Sequence, residues 1–328
     1  MRIFFTGGTG FFGKAVLRHL LAGYSRNLAG MPEQVMVLAR SPERFLQQHP
    51  EFAGLPWLAF HTGNVEQPLS LPRGEHFSHV LHAAADSTDA ARMSPLQRYD
   101  QIVNGTRHLL DFALASGAER FLFTSSGAVY GPQPPHLEGI PEEWHGSLDQ
   151  LSPANAHGLA KRAAEHLCAL YCQIHGLQAT VARCFAFVGQ DLQLDVHFAI
   201  GNFIRDALWR DAITVQGDGT ALRSYLEQDD LAFWLLKLLA QGEGGRAYNV
   251  GSDQAISIGA LAHLVRDLVA PGKPVQILGR AEHNAVPNRY LPNIERARRE
   301  LGLSVVTPLD QAIRQTAIIR SQEHAVTS

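Results

Sequence analysis

A glycine-rich turn near the N-terminus constrains the fold of this chain more than any other feature. The β-branched and aromatic run RIFFT is followed at once by GGTGFFG and then by KAVLRHLLAG, which has the apolar spacing of a helix. We expect Gly7 to permit a tight turn, Gly10 to let the backbone approach a pyrophosphate, and Gly13 to allow close packing of helix and strand. The helix N-terminus offers N–H donors to an anion, so this stretch predicts a dinucleotide-binding unit.

The end of the second predicted strand, QVMVLAR at residues 34–40, bears on which dinucleotide is bound. A carboxylate there would bind the 2′-hydroxyl of NAD, whereas an arginine would accommodate the 2′-phosphate of NADP. No acid occurs before Glu43, and Arg40 ends the strand. The pattern therefore favours NADP(H) over NAD(H), the alternative being that Arg40 is a solvated loop residue.

Strand-like runs alternate with helical stretches in the next part of the chain. WLAFHTGNV, HVLHAAA, RFLFTSS and ATVARCFAFVG alternate with helices near 92–117 and 155–176. This alternation predicts an α/β fold with a doubly wound parallel sheet. We expect a nucleotide-binding domain over residues 1–188 and a smaller, mainly C-terminal substrate-binding region over 189–328, some segments of which return to the sheet. The strand ends should line one crevice: Thr6, Arg40, residues 83–85, residues 125–126 and residues 187–189.

Composition narrows the functional classes. The 328 residues carry a formal net charge of −3 and no basic cluster with interleaved aromatics, so we expect no nucleic-acid partner. The 16 histidines are scattered without ligand spacing, so no metal site is predicted. Three cysteines without framework spacing indicate a reducing compartment. No leader and no apolar run of ~20 residues is visible, so we expect a cytoplasmic protein without membrane contact.

Several motifs occur in a fixed order along the chain. They are TGGTGFFG, HAAA (82–85), NGT (104–106), FTSSGAVYG (123–131), HGLAK (157–161) and LRSYLEQDDLA (222–232). With this set the chain resembles the extended short-chain dehydrogenase/reductases, the group of nucleotide-sugar epimerases, dehydratases and ketoreductases. The resemblance runs from Arg2 to about Leu303. It implies a Rossmann sheet, a nucleoside-diphosphate sugar as substrate, and a homodimer formed through the helices near 92–117 and 155–176.

The resemblance also implies roles for individual residues. Ser126 matches the residue that hydrogen-bonds the reacting oxygen, with Ser125 beside it as a substrate contact. Lys161 matches the lysine that binds the nicotinamide ribose and lowers its neighbour's pKa. Arg223 matches the arginine that binds the substrate diphosphate, with Asn202 and Tyr290 near it. The implied cofactor contacts are Thr6, Gly7, Gly10, Phe11, Phe12, Gly13, Arg40, Asn64, Val65, Ala83, Ala84, Asn104 and Lys161; Asn104 is also expected near the proton relay.

Four departures from the family pattern concern the site. Gly127 and Ala128 stand where sugar 4,6-dehydratases carry an acid/base pair, so dehydration is disfavoured. RCFAFVG has Ala186 and Val188 in place of the usual asparagine and tyrosine. Near HNAVPNRY, His283 and Val286 occupy positions that are usually charged, and Arg289 is available to compensate. Asn64 stands where an adenine-contacting aspartate is common.

His157 is the most consequential departure, because it lies four residues before Lys161, where the family has its catalytic tyrosine. A free histidine titrates near ~6.5, and the charge of Lys161 one helical turn away should lower its pKa. A neutral imidazole can donate a proton to a ketone oxygen or relay one through water. The alternative is a pocket that has lost its catalytic group.

Two classes of function remain open. We expect an NAD(P)-dependent enzyme that reduces a keto group of a nucleoside-diphosphate sugar, with Ser126 and His157 as the proton relay. A nucleotide-sugar epimerase with permanently bound NAD is the enzymatic alternative. The other class is a low-turnover NAD(P)-binding sensor or scaffold, which the altered substrate-side positions favour.

Overall fold

The computed structural model describes residues 1–23, 31–84, 93–196, 198–280 and 286–327. Two predicted positions, Ala85 and His283, lie outside these ranges.

The strands, in chain order, are β1 (Arg2–Thr6), β2 (Gln34–Ala39), β3 (Leu58–Thr62), β4 (His79–His82), β5 (Arg120–Ser126), β6 (Gln178–Cys184), β7 (Phe187–Val188), β8 (Ile213–Val215), β9 (Leu222–Arg223), β10 (Leu226–Glu227), β11 (Ala247–Val250), β12 (Ile256–Ser257), β13 (Val275–Ile277) and β14 (Arg289–Tyr290). The α-helices are α1 (Phe11–Leu21), α2 (Pro42–Gln48), α3 (Pro95–Ala115), α4 (Ala156–His175), α5 (Ala199–Trp209), α6 (Gln228–Gln241), α7 (Ile258–Val269), α8 (Glu295–Leu301) and α9 (Leu309–Thr327).

The main sheet of the described chain has seven parallel strands in the order β11-β6-β5-β4-β1-β2-β3. The strand order runs outward from β1 in both directions, which is the doubly wound arrangement that the alternating pattern predicts. At the carboxyl edge Thr6 lies beside Leu38 on one side and His82 on the other. The α/β prediction is therefore confirmed, and the ends of β1, β2 and β4 meet at one edge. The predicted strand ATVARCFAFVG is divided, because β6 ends at Cys184 and β7 (Phe187–Val188) pairs with β10 in a separate two-stranded sheet.

Alternate residues of β1 face opposite layers of helices. Ile3 and Phe5 pack in the core shared with α1 and α6, whereas Phe4 packs in the core shared with α3 and α4. Each of these three side chains is at most 1% exposed. A strand that is buried on both faces must be apolar throughout, which explains why RIFFT shows no polar alternation.

The later part of the chain divides between two locations. β11 pairs with β6 at one end of the main sheet, and α6 packs against α1, so residues 228–250 belong to the layers of the main sheet. α5, α7 and α9 surround a separate apolar core with β8. Between them a small sheet is formed by β12, β9 and β14. Among the described helices, none has the length and apolar character needed to cross a membrane.

Candidate active site

The glycine turn after β1 is shaped by close backbone contacts. Gly7 has a φ of +80°, and a Cβ atom at this position would lie 2.4 Å from the carbonyl carbon of Ala83. At Gly13 a Cβ atom would lie 2.2 Å from the carbonyl carbon of Gly8. The turn itself therefore packs against α1 and against the end of β4. Gly10 is the N-cap of α1 and has no side-chain cap, which leaves the first N–H groups of the helix available to an anion.

A buried histidine ties the ends of β1 and β4 to α3. The His82 ring nitrogens lie 2.8 Å from Thr6 Oγ1 and 3.2 Å from Thr106 Oγ1. Because the Thr106 hydroxyl donates to Ile102 O, His82 Nε2 must donate to Thr106, and Nδ1 then accepts from Thr6. Burial, followed by the charge of Lys161, lowers the pKa of His82 to about 3, so the ring is neutral.

One face of α4 presents charged side chains to the end of β5. Lys161 Nζ donates to Thr124 O at 2.8 Å and lies 4.6 Å from the centre of the Phe123 ring. Burial lowers the pKa of Lys161 to about 8. One turn further along, Glu165 accepts a 2.6 Å hydrogen bond from Ser125 Oγ. The Lys161 ammonium is thus held at Thr124, which lies two residues before Ser126 and close to the carboxyl edge of the sheet.

Glu165 also anchors a buried polar network behind this edge. Arg183 Nη2 lies 2.7 Å from Glu165 Oε2, and Arg183 Nε reaches both carboxylate oxygens. Arg183 Nη1 donates to the hydroxyl of Tyr130, which donates in turn to Asn249 Oδ1. The network joins α4, β6 and β11, and it holds the segment after Ser126 in place.

His157 lies in the first turn of α4 and is partly buried. Its neighbour Gly158 lets the helix approach the preceding loop, because a Cβ there would lie 2.7 Å from Ala128 O. Burial first, then the charges of Lys161 and Arg98, lower the pKa of His157 to about 4. The lowering by Lys161 is as predicted, although burial is the larger cause. The imidazole hydrogen-bonds no residue within the described ranges, Ser126 included.

The hydroxyl of Ser126 faces a tyrosine from the C-terminal region. Ser126 Oγ accepts a hydrogen bond from Ala128 N at 3.1 Å. The Tyr290 hydroxyl is close enough to Ser126 for their polar interaction to lower the tyrosine pKa, but burial has the larger effect and raises it to about 12. The Tyr290 ring packs on Phe185, with centroids 4.7 Å apart. Ser126 and Tyr290 are both only partly buried as whole residues.

Strand pairing places Arg223 beside Tyr290. β14 runs parallel to β9, and Tyr290 is the register partner of Arg223. The Arg223 guanidinium donates to Leu222 O at 2.7 Å, and its charge lowers the pKa of Tyr290. The predicted substrate arginine therefore lies beside Tyr290, whose hydroxyl lies against Gly127, the residue after the predicted catalytic serine.

A cavity of about 650 Å³ opens between α5 and β8. Asn202 lies on its wall, and its Oδ1 accepts a 3.3 Å hydrogen bond from Arg205. Further lining residues include Thr214, Gln216, Gly217 and Ile258. Ile258 directly follows β12, the partner of β9, so the cavity adjoins the sheet that carries Arg223.

Comparison with known proteins agrees with this arrangement. A model of the NAD dependent epimerase/dehydratase family matches residues 3–251. The chain belongs to this family. The match covers the main sheet, the glycine turn and the segments that carry Ser126, His157, Lys161 and Arg223.

The curated relatives of the chain include UDP-glucuronic acid decarboxylases. UDP-glucuronic acid decarboxylase 1 of Danio rerio is 28% identical over 323 residues, which are 98% of this chain and 73% of that protein. UDP-glucuronic acid decarboxylase 5 of Arabidopsis thaliana is 27% identical over 303 residues, which are 92% of this chain and 84% of that protein.

Solved structures from the family share the fold. A double mutant of DesIV, a dTDP-glucose 4,6-dehydratase from Streptomyces venezuelae with NAD and DAU bound, has a TM-score of 0.83 at 24% identity and covers 99% of this chain and 98% of its own. RMD from Pseudomonas aeruginosa, complexed with NADPH, has a TM-score of 0.77 at 24% identity and covers 98% of this chain and 100% of its own.

Two residues that the family pattern placed in the crevice are not brought there. α3 buries Ile102, Thr106 and Leu109 and leaves Asn104 exposed, so Asn104 lies off the face that meets the sheet. The helical period at this point puts a hydrophobic residue, not the asparagine, inward. Ser125 is 4% exposed and its hydroxyl donates to Glu165, so it supports the site from behind instead of contacting a substrate.

The remaining predicted cofactor contacts lie around the glycine turn and the ends of β2 and β3. Phe12 packs edge-on against Phe187, 5.1 Å between centroids, and Phe11 lies 6.5 Å from the same ring. Arg40 is exposed just after β2. Asn64 Oδ1 accepts from Glu66 N, which stabilises its own turn, and Val65 is buried. Ala84 directly follows Ala83 beside Gly7.

Two functional residues were missed by sequence reasoning, Glu165 and Arg183, which form the network behind Ser125. Tyr290 was predicted near the diphosphate, and the structure also places its hydroxyl against Gly127, next to Ser126. The position of Glu165 was predictable from the sequence, because it follows Lys161 by one helical turn and therefore lies on the same face of the helix. Within the described ranges no three His, Cys, Asp or Glu side chains are grouped to hold a metal ion.

Proposed function

We propose that this protein is an NAD(P)H-dependent oxidoreductase that reduces a keto group of a nucleoside-diphosphate sugar. The observation that carries the proposal is the convergence of Ser126, at the carboxyl edge of the sheet, with the β9–β14 pair that contains Arg223 and Tyr290. Tyr290 thus links a hydroxyl that can polarise a carbonyl oxygen, on Ser126, to a cation that can bind a phosphate, on Arg223.

The glycine turn fits a dinucleotide. The space beside Gly7 is too small for a Cβ atom, and the uncapped N-terminus of α1 points N–H groups at the same turn. When bound, the nicotinamide cofactor would supply the hydride for the reduction. Arg40 at the end of β2 supports NADP(H) over NAD(H), because a guanidinium binds a 2′-phosphate well.

Ser126 would hydrogen-bond the reacting oxygen, and Lys161 would stabilise the negative charge that develops on it. Ser126 Oγ already accepts from Ala128 N, so its hydroxyl hydrogen is available to a substrate oxygen. Lys161, buried beside Thr124 O, places a positive charge near the same strand end and stabilises negative charge that develops there. Arg223 and the Asn202 cavity are assigned to the diphosphate and the nucleoside.

Two other family reactions are candidates. The decarboxylase relatives act on UDP-glucuronic acid by their names, and the epimerase alternative returns the cofactor unchanged. Elimination of water is disfavoured, because Gly127 and Ala128 offer neither a proton donor nor a base beside Ser126. Net reduction remains the best-supported reaction, since an arginine at residue 40 suits a cofactor drawn from a pool of NADPH.

A substrate panel separates these reactions. Purified protein would be incubated with NADPH or NADH and nucleoside-diphosphate 4-keto sugars, sugars and uronic acids, and cofactor absorbance, sugar products and carbon dioxide would be followed. The proposal expects one cofactor oxidised per keto sugar reduced. Interconversion of sugars without net oxidation would identify an epimerase, and release of carbon dioxide a decarboxylase. Nucleotide binding without turnover, indifferent to Ser126→Ala, would identify a binding protein.

We also propose a homodimer formed through α3 and α4, whose outer faces expose Leu96 and Ile174 at 70% and 67%. Light scattering should report twice the chain mass. A monomer at micromolar concentration would contradict it.

A further inference from the structure

We infer that Tyr290 is a catalytic residue, the general acid that protonates the carbonyl oxygen in place of the missing tyrosine four residues before Lys161. This inference rests on the proposed function and assigns its proton donor. The hydroxyl of Tyr290 lies against Gly127 and interacts with the hydroxyl of Ser126, and both residues are only partly buried. An oxygen that contacts Ser126 would therefore also be within reach of Tyr290.

The space for this hydroxyl exists because residue 127 is glycine. A Cβ atom on residue 127 would lie 2.6 Å from Tyr290 Oη and 2.9 Å from two ring carbons of Phe185. Real side chains do not approach that closely, so any other residue at 127 would displace the tyrosine. The Tyr290 hydroxyl thus occupies space that is open only because residue 127, after Ser126, has no side chain.

The Tyr290 ring is held so that its hydroxyl lies against Gly127, the residue after Ser126. It packs on Phe185 with centroids 4.7 Å apart, and its backbone is fixed by the parallel pairing of β14 with β9. An aromatic ring locked by packing and strand pairing keeps its hydroxyl in one position, which general acid catalysis requires.

The electrostatic surroundings suit a proton donor. Burial raises the pKa of Tyr290 to about 12, so its hydroxyl is protonated at neutral pH. The polar interaction with Ser126 and the charge of Arg223 act in the opposite direction. The Arg223 charge can stabilise the phenolate that proton donation leaves, while the Ser126 hydrogen stays on the substrate oxygen. The buried thiol of Cys184 is the other titratable group that acts on it, and it disfavours the phenolate.

The overall reaction balances without a further reactant. The carbonyl carbon receives a hydride, which carries two electrons, and the nicotinamide donor is oxidised as the ketone is reduced to an alcohol. The carbonyl oxygen takes the Tyr290 proton as the O–H bond of the tyrosine breaks. Water then returns one proton to the phenolate, so one proton is consumed per turnover.

His157 is less suited to this step. Its imidazole interacts with Lys161 and Arg98 through their charges and has no hydrogen bond to Ser126. With a pKa of about 4 it is neutral at physiological pH. Tyr290, not His157, is therefore the titratable group in direct polar interaction with the serine hydroxyl.

Tyr290→Phe removes one oxygen and keeps the ring on Phe185. We expect kcat for keto-sugar reduction to fall by roughly 10²–10⁴-fold, the usual contribution of a general acid. The KM for the sugar and the dissociation constant of NADPH, measured by fluorescence without turnover, should stay within about threefold, because no binding contact of the cofactor is removed. The matched control is Tyr248→Phe, whose hydroxyl lies 3.0 Å from Glu300 Oε2, outside the group of residues around Ser126. It should retain kcat.

The possible outcomes distinguish a failure of the Tyr290 assignment from a failure of the proposed function. Wild-type turnover that survives in Tyr290→Phe overturns the inference alone, as does a rise in KM with kcat unchanged. A wild type that turns over no keto sugar overturns the proposed function and this assignment with it. Should Tyr290→Phe fail to fold, 3,5-difluorotyrosine at residue 290, which lowers the phenol pKa, should shift the pH dependence of kcat to lower pH. An unshifted profile would contradict the inference.

Discussion

The Tyr290 hydroxyl oxygen lies 2.6 Å from the point where a Cβ atom on residue 127 would sit. Gly127 therefore does more than omit the acid found in dehydratases, because it leaves the room that a hydroxyl from β14 fills. The two residues are far apart in the chain and depend on each other at the site.

Gly127→Ala tests this dependence. The added methyl group must displace Tyr290 or Phe185, so we expect a loss of stability of about 1–3 kcal/mol, typical of overpacking, and a fall in kcat. Urea unfolding and steady-state kinetics would measure both. The stability loss should shrink in a Tyr290→Phe background, because one clashing atom is gone. Gly259→Ala is the control, since its Cβ would meet nothing nearer than 3.4 Å. Equal losses in both single variants would contradict the account.

Gly7→Ala should weaken cofactor binding and the fold together. A side chain at a φ of +80° is strained by about 1–2 kcal/mol, and its Cβ would also meet Ala83 at 2.4 Å. Gly23→Ala is a matched control, because Gly23 has a φ of +69° with nothing within 4 Å of its Cβ. We expect Gly23→Ala to show the strain alone, and Gly7→Ala a larger loss plus weaker NADPH binding. Similar unfolding free energies would show that the contact with Ala83 is unimportant.

The Glu165–Arg183 pair should matter more to stability than an exposed pair. Its side chains are 12% and 16% exposed, and Glu165→Gln leaves the Arg183 charge without its carboxylate. We expect a loss of roughly 2–4 kcal/mol in the free energy of unfolding. Glu243→Gln, in the Glu243–Arg246 pair with exposures of 64% and 35%, should cost about 1 kcal/mol or less. The reverse order in urea titrations would refute the structural role of the network.

His157 should make the fold acid-sensitive. Its pKa is about 4 in the folded chain and near ~6.5 in the unfolded chain, so between these values the unfolded state binds more protons. Stability is therefore lost as pH falls from 6.5 towards 4, by up to about 1.4 kcal/mol per pH unit. Unfolding free energies at pH 7 and pH 5 should fall less steeply in His157→Asn than in the wild type. If the unfolding free energies of both proteins fell equally between pH 7 and pH 5, the pKa of His157 would not be lowered in the folded chain.

Local patterns were sufficient to predict the nucleotide-binding half of the molecule. β1, the glycine turn and α1 are consecutive, and each has a clear signal in its own residues. The positions of Ser126 and Lys161 at one strand end followed from the parallel sheet, because the carboxyl ends of such strands share an edge.

The substrate side could not be predicted in the same way. β9 and β14 are two residues long, too short for any periodicity, and they meet only through pairing between distant segments. The position of Tyr290 beside Ser126 depends on that pairing. Asn104 was predicted as a site residue from a motif match alone. The helical period of α3 buries Ile102 and Thr106 and leaves Asn104 exposed on the other face.

Transfer of deuterium from labelled NADPH to a sugar is the most direct test of the central claim. The protein would be incubated with NADPH deuterated at the nicotinamide C4 position and a nucleoside-diphosphate 4-keto sugar, and the product analysed by mass spectrometry. The account predicts one deuterium on the reduced carbon per NADP⁺ formed, and loss of this transfer in Tyr290→Phe. Tight NADPH binding with no deuterium in any sugar would contradict it and favour a cofactor-binding protein.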